Sequence, residues 1–315
     1  MTPGAGLMGS LLLVLGRPRW WLLALAAFLV RGGILVMFVP IVILPTPSGV
    51  TNALGPAVTG LALGGAGADL IALIAILAVG ATVAIVAGSV LGAWLEATLV
   101  CEVFADVDAA QAPAWRGAAL RLIAHLPLVL ALVWGIPAVG AAGYAELILP
   151  QEMVTPLVLR IVGRVPLTVA LILGAWLVGE VVGGLAVRRL VRGEPVPRAL
   201  IGAVWSLLRR PLSSVRLLVG TQVAFVALVV PALIASGAGW DRVRILLSDG
   251  IATTGDRQGL ALALVAFIGL WLGGYVLVGL GAALRAVAWT TWSLGPARPT
   301  PGIDASARGA GAVPG

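Results

Sequence analysis

Long apolar runs separated by short, arginine-bearing polar stretches dominate this chain. Six of them match or exceed the ~20 residues that a helix needs to cross a bilayer. They cover roughly Trp20–Leu44, Leu70–Val100, Leu122–Ala142, Leu157–Val187, Leu217–Ala235 and Leu260–Ala283. The pattern predicts an all-α polytopic membrane bundle of about six transmembrane helices. The second and fourth runs are longer than a crossing requires, so they should tilt or project beyond the bilayer as continuous helix.

A second pattern overlies the first. Each odd span follows an amphipathic, Arg-bearing stretch that ends in a proline: Leu7–Pro18, Trp115–Pro127 and Arg198–Pro211. In the last of these, apolar residues recur at helical spacing between arginines at both ends, which predicts a helix lying in the inner interface with Trp205 at headgroup depth. The recurrence predicts three helix-hairpin repeats, each entered through an interfacial amphipathic helix; the plainer alternative is that these stretches are simply helix starts. Pro40, Pro137 and Pro231 lie late in the odd spans and should bend each one near its outer end. Gly88-xxx-Gly92, Gly179-xxx-Gly183 and Gly269-xxx-Gly273 place a small-residue pair in each even span, which favours close approach and a core built from the even helices.

Composition agrees with a lipid environment: 60% of residues are hydrophobic and only 10% are charged, and the mean hydropathy is +1.10. A soluble domain of this length would need far more charge to cover its surface. Residues 1–294 read as a single integral membrane domain. The Pro-, Gly- and Ala-rich residues 295–315 read as a disordered cytoplasmic tail. Of the outer connections, Pro45–Ala68 is uncharged, and Trp240–Asp249 could form a short interfacial helix. The single cysteine, Cys101, excludes an internal disulfide and any multi-cysteine metal cluster.

Charge sets the orientation. All 20 basic residues are arginines. Six crossings put both termini on one side, and the opposite side has only Arg160 and Arg164, at the outer start of the fourth span, with Arg242, Arg244 and Arg257. The positive-inside bias therefore predicts a multi-pass protein of a bacterial cytoplasmic (inner) membrane with both termini cytoplasmic. The net charge of +7 sits beside spans and has no basic–aromatic recognition motif with it. Anionic lipid headgroups are the expected partner, with membrane or cytoplasmic proteins as further partners and no nucleic acid. The interfacial basic segment is Arg198, Arg209, Arg210 and Arg216.

Candidate chemistry is sparse. There is one histidine, His125, read as headgroup-facing, and no HExxH, GxSxG, CxxC or phosphate-binding loop. The chain is therefore read as a non-enzyme with no metal and no cofactor. The sharper signal is an intramembrane polar cluster: Arg31 near the middle of the first span, with Glu96 and Glu180 about two turns from the inner ends of the second and fourth. An arginine at that depth costs about 2.5–3.5 kcal/mol on insertion scales, so it should face the bundle and find a partner. Three readings are open for the group: a structural ion pair, snorkelling side chains, or part of a substrate or proton path. The structural one comes first because two acids and one base are a small inventory for a coupled transporter. Arg160 and Arg164, one turn apart, read as an interfacial anchor.

The motifs Arg17-Pro18, His125-Leu126-Pro127 and Arg209-Arg210-Pro211, each opening an odd span after an amphipathic helix, resemble the six-span membrane domain that accompanies bacterial glycerophosphodiester phosphodiesterases, and related uncharacterised polytopic families. The likeness covers most of the chain. It implies a membrane domain that is not itself the catalytic part, and no catalytic barrel follows within this sequence, so phosphodiesterase activity is not carried over. The function expected first is a non-enzymatic scaffold or accessory subunit that contacts lipids or partner proteins. The alternative is a permease-like transport component for a small or lipidic molecule, working with a separate ATPase that docks on Arg188–Arg216. What separates the two is whether Arg31, Glu96 and Glu180 line a polar cavity or are packed shut.

Overall fold

Arginine–proline junctions set two of the helix starts. In the computed structural model, which describes residues 3–41, 68–107, 112–148, 157–209, 211–248 and 254–294, α1 (Pro3–Leu15) stops before Gly16, and Pro18 opens α2 (Pro18–Phe28). Proline suits a first turn because its missing N–H would have no partner there. After a π-turn at Leu29–Gly33 the first span continues as α3 (Ile34–Phe38). Then follow α4 (Ala68–Val107), α5 (Ala114–Ile148), α6 (Leu157–Arg164), α7 (Pro166–Val178), a second π-turn at Gly179–Gly183, α8 (Gly184–Val191), α9 (Val196–Arg209), α10 (Pro211–Ser248) and α11 (Thr254–Leu294). There is no strand among the described residues.

Six segments are long and apolar enough to cross a membrane: Pro18–Phe38, Ile74–Asp106, Ala114–Glu146, Pro166–Val191, Pro211–Ser248 and Gly255–Ser293, spans 1 to 6. The chain is an all-α, multi-pass integral membrane protein. Spans 1 and 2, 3 and 4, and 5 and 6 pack as pairs, while spans 2 and 3 and spans 6 and 1 pack as closely as the pairs do. The order around the bundle is thus 5–6–1–2–3–4, and spans 4 and 5 share no extended interface.

Buried side chains concentrate at the end that carries α1, which is also the arginine-rich end. Val14 of α1, Trp20 and Ala24 of span 1, Leu99 and Val103 of span 2 and Ala283 and Val287 of span 6 form one cluster. Val100 and Phe104 meet Val187 and Val191 in another, so the even helices do touch one another there. Nearer the opposite end, Trp271 donates from Nε1 to the Met37 carbonyl at 2.8 Å and stacks among Phe38, Phe267 and Tyr275, which ties the outer part of span 1 to span 6.

The pre-span helices divide. α9 is a separate amphipathic helix as expected: Ala199 and Ala203 are fully buried against spans 3, 4 and 6, whereas Ile201, Trp205 and Leu208 face outward. Arg209 lies over the Trp205 ring at 4.8 Å, and Arg198, Arg209 and Arg216 are exposed, while Arg210 falls outside the described residues. Arg189 fastens α9 to span 4 by donating to Glu194 and to Ser206, both at 2.9 Å. A peptide of residues 196–211 should turn from coil to helix on anionic vesicles at low salt, read by circular dichroism, and a peptide that stays coil would remove the lipid-contact reading.

The stretch before span 3, in contrast, is no separate helix. α5 runs unbroken from Ala114 through Pro127 and Pro137, so Trp115–Pro127 is the first third of the span itself. Of the prolines late in the odd spans, Pro231 lies within continuous α10, and Pro40 follows the last turn of span 1. Span 4 is the converse case, because the expected continuous helix Leu157–Val187 divides at Val165 (φ −120°, ψ 47°), which Pro166 pushes out of the helical region. Trp240–Ser248 belongs to α10 rather than to a helix of its own. Residues 45–67, Asp249 and residues 295–315 lie outside the described residues.

A charged cavity as the candidate functional site

Two interruptions position the site. In span 1, Arg31 (φ −83°, ψ 15°) and Gly32 (φ 96°) leave helical geometry, and the positive φ is one that glycine adopts without a Cβ penalty. The break sits on the Gly88-xxx-Gly92 groove of span 2. A Cβ at Gly88 would run into the Val30 carbonyl, and one at Gly92 would meet the Arg31 side chain. In span 4 the π-turn carries Glu180. Gly179 and Gly183 bring that turn onto span 3, where a Cβ on Gly183 would come within 2.8 Å of Ala124 Cβ. Two of the three predicted glycine pairs therefore serve close approach. The third does not, since Gly269 and Gly273 have no atom within 4 Å of an added Cβ.

The cluster expected from sequence is present and larger than expected. Arg31 donates to Glu96 at 2.5 Å. Glu96 also receives Arg121 at 2.7 Å, and Arg121 reaches Glu180 at 2.8 Å. Arg285 of span 6 lies 3.1 Å from the other Glu180 oxygen. Arg121, with 1% of its side chain exposed, completes its donors on the Gly179 and Glu180 carbonyls. Arg188, 3% exposed, donates to the Gly184 and Ala286 carbonyls and to the Thr290 hydroxyl, none of which carries charge.

His125 is buried rather than headgroup-facing. Its Nδ1 donates to the Arg121 carbonyl at 3.0 Å, and its Nε2 stands 3.7 Å from Glu180. Arg160 and Arg164 also differ from a plain interfacial anchor: both donate to Glu146 at the far end of span 3, and Glu146 and Arg160 are buried.

The spans read from sequence leave Arg121, Arg188 and Arg285 outside because each lies just beyond the end of an apolar run. The signal that places them inside is periodic. On span 3, Arg121, His125, Leu128 and Leu132 recur at helical spacing, and on span 6 Ala282, Arg285, Ala286 and Trp289 do the same. All eight line one cavity of about 690 Å³ to which every span contributes, with Arg31, Glu96, Glu180, Arg188, Gln222 and Phe225 among its walls. The ion pairs and the cavity coexist, so the charged groups are paired with one another without being packed shut.

Energetically the network spreads each carboxylate over two guanidinium partners, which limits what any one peripheral pair contributes. Arg31→Ala should lower stability by about 1–2 kcal/mol, the upper range for a polar contact between membrane helices. Glu96 keeps Arg121, and the loss combined with Glu96→Ala should fall short of the sum. A thermal-unfolding double-mutant cycle in detergent checks this, and full additivity would dissolve the pair. Among the described residues no group of three or more His, Cys, Asp and Glu side chains is placed to hold a metal ion.

Fold and site together define a class: a multi-pass helical membrane protein with an arginine-rich cavity between its spans. Comparison of the chain with protein families, with curated proteins and with solved structures gives no match.

Proposed function

We propose that this protein is a permease-like membrane component that takes a small or lipidic molecule into its central cavity and performs no chemistry on it. The observation that carries the reading is the cavity: about 690 Å³, lined by residues of all six spans and holding seven ionisable side chains. Ligand sites typically occupy about 300–1,000 Å³ and combine apolar walls with a few convergent polar groups. The irregular turns of spans 1 and 4 support it. Interrupted helices and π-turns in membrane proteins recur where a site is built into the bundle, and here both the break at Arg31–Gly32 and the π-turn at Gly179–Gly183 face the cavity.

The arginine bias favours a cytoplasmic location of the α1 end. Arg121, Arg188 and Arg285 leave that count once they are placed in the cavity, but Arg17, Arg19, Arg116, Arg189, Arg192, Arg198, Arg209 and Arg216 still crowd one end. Cysteine accessibility tests the reading. In a Cys101→Ser background, Leu132→Cys and Ala84→Cys should react with a small water-soluble thiosulfonate, while Leu173→Cys, away from the cavity on span 4, should not. Equal protection of all three would mean a closed bundle. A scaffold role is the second reading, and the observation in its favour is the outward apolar face of α9, where Ile201 is 70% and Leu208 65% exposed.

A further inference from the structure

We infer that the cavity binds a phosphate group, and that its occupant is a phosphomonoester. The inference rests on the binding-cavity reading above and adds the chemistry of the ligand. Four arginines, Arg31, Arg121, Arg188 and Arg285, line the cavity with two carboxylates, Glu96 and Glu180. The four guanidinium groups outnumber the two carboxylates, so these six side chains carry an excess of two positive charges in surroundings where a buried charge without a counter-ion is expensive. Arg188 sharpens the point. It is buried to 3% exposure and satisfied only by two carbonyls and a hydroxyl, so its donors are met while its charge is not.

Guanidinium groups suit oxyanions because their planar fork matches two oxygens at once. A monoester phosphate carries about −1.5 to −2 charges near neutral pH, so it balances the excess where a single carboxylate or phosphodiester, each with one charge, does not. The ionisable groups gather at one end of the cavity, where Leu99 and Trp289 belong to the buried clusters beneath. The remaining walls are apolar, with Leu35, Leu132, Trp176 and Phe225 among them. Trp176 belongs to span 4 and Phe225 to span 5, the two spans that share no extended interface. A phosphate on an apolar chain would thus place its head among the arginines and its chain along spans 4 and 5. Gln222 Nε2, buried on span 5 without a hydrogen-bond partner, lies in the same wall.

The phosphate could reach the cavity on a membrane amphiphile or on a water-soluble ester, and the test separates them. The full chain in dodecyl maltoside is titrated with dodecyl phosphate, with glycerol phosphate and with dodecylphosphocholine, and binding is read by calorimetry. Saturable binding of dodecyl phosphate at one per chain, about tenfold or more tighter than dodecylphosphocholine, supports the inference. Glycerol phosphate at least a hundredfold weaker assigns the site to an amphiphile, and comparable affinity assigns it to a soluble ester.

Arg285→Gln should weaken dodecyl phosphate about tenfold, while Arg285→Lys keeps it within a few-fold. If Arg285→Gln fails to fold, Gln222→Trp provides the second handle, lowering affinity for the chained phosphate and leaving glycerol phosphate unchanged. Dodecyl phosphate binding no tighter than the zwitterionic detergent, with Arg285→Gln neutral, would overturn the phosphate assignment and leave the cavity reading intact. No binding of any amphiphile, together with protected cavity cysteines, would remove both.

Discussion

Arg121→Met should be the most damaging single change in the cavity, lowering stability by about 3–5 kcal/mol, the range for stranding a buried charge by removing its partner. Arg121 is the one cation among the described residues bonded to both carboxylates, and it also caps the carbonyls of the span 4 π-turn. Without it Glu96 retains only Arg31, and Glu180 retains Arg285 and the more distant His125. Methionine keeps much of the volume, so the loss reports charge rather than a hole. Two results are expected from thermal unfolding and yield in detergent: a much larger fall than for Arg31→Ala, and partial recovery when Glu180→Gln is added, since the acid left with one of its two guanidinium partners is then neutral. An Arg121→Met protein as stable as the parent would mean that the network is not the internal keystone described here.

Gly88→Val comes second. An added Cβ at Gly88 meets the Val30 carbonyl, which is backbone and cannot rotate away. Span 1 must then shift off span 2, and the shift carries Arg31 away from Glu96. Overpacking of this kind costs about 1–3 kcal/mol, and the displaced ion pair adds to it. Gly269→Val is the internal control: it meets nothing within 4 Å and should stay within about 0.5 kcal/mol of the parent. Paired melting curves of the two variants settle the matter, and equal effects would contradict the packing of span 1 into the span 2 groove.

The class of fold was legible because apolar run length reports directly on membrane crossing, and six runs became six spans. The need of Arg31 for an acidic partner was legible as well, since an arginine that deep has to find one, although the sequence left Glu96 and Glu180 equally open and the structure gives it Glu96. Two things were not. Span ends were drawn where the apolar run ends, although arginines can continue a helix inside the bundle when carboxylates and carbonyls receive them, and this hid Arg121, Arg188 and Arg285. The helix breaks were assigned to prolines, yet Pro127, Pro137 and Pro231 sit within continuous helices while the first span breaks at Arg31–Gly32. A glycine beside an arginine carries little local signal. Only the facing groove of Gly88 and Gly92 shows why the chain breaks there.

The charged groups are paired around an open cavity rather than sealed in a dry core, and electron cryomicroscopy in lipid nanodiscs decides between the two. The maps should show Arg31, Glu96, Arg121, Glu180 and Arg285 linked to one another, with a water- or lipid-filled space beside them reaching Trp176 and Phe225. A bundle closed along spans 4 and 5, with no such space and Arg31 turned to lipid, would contradict it.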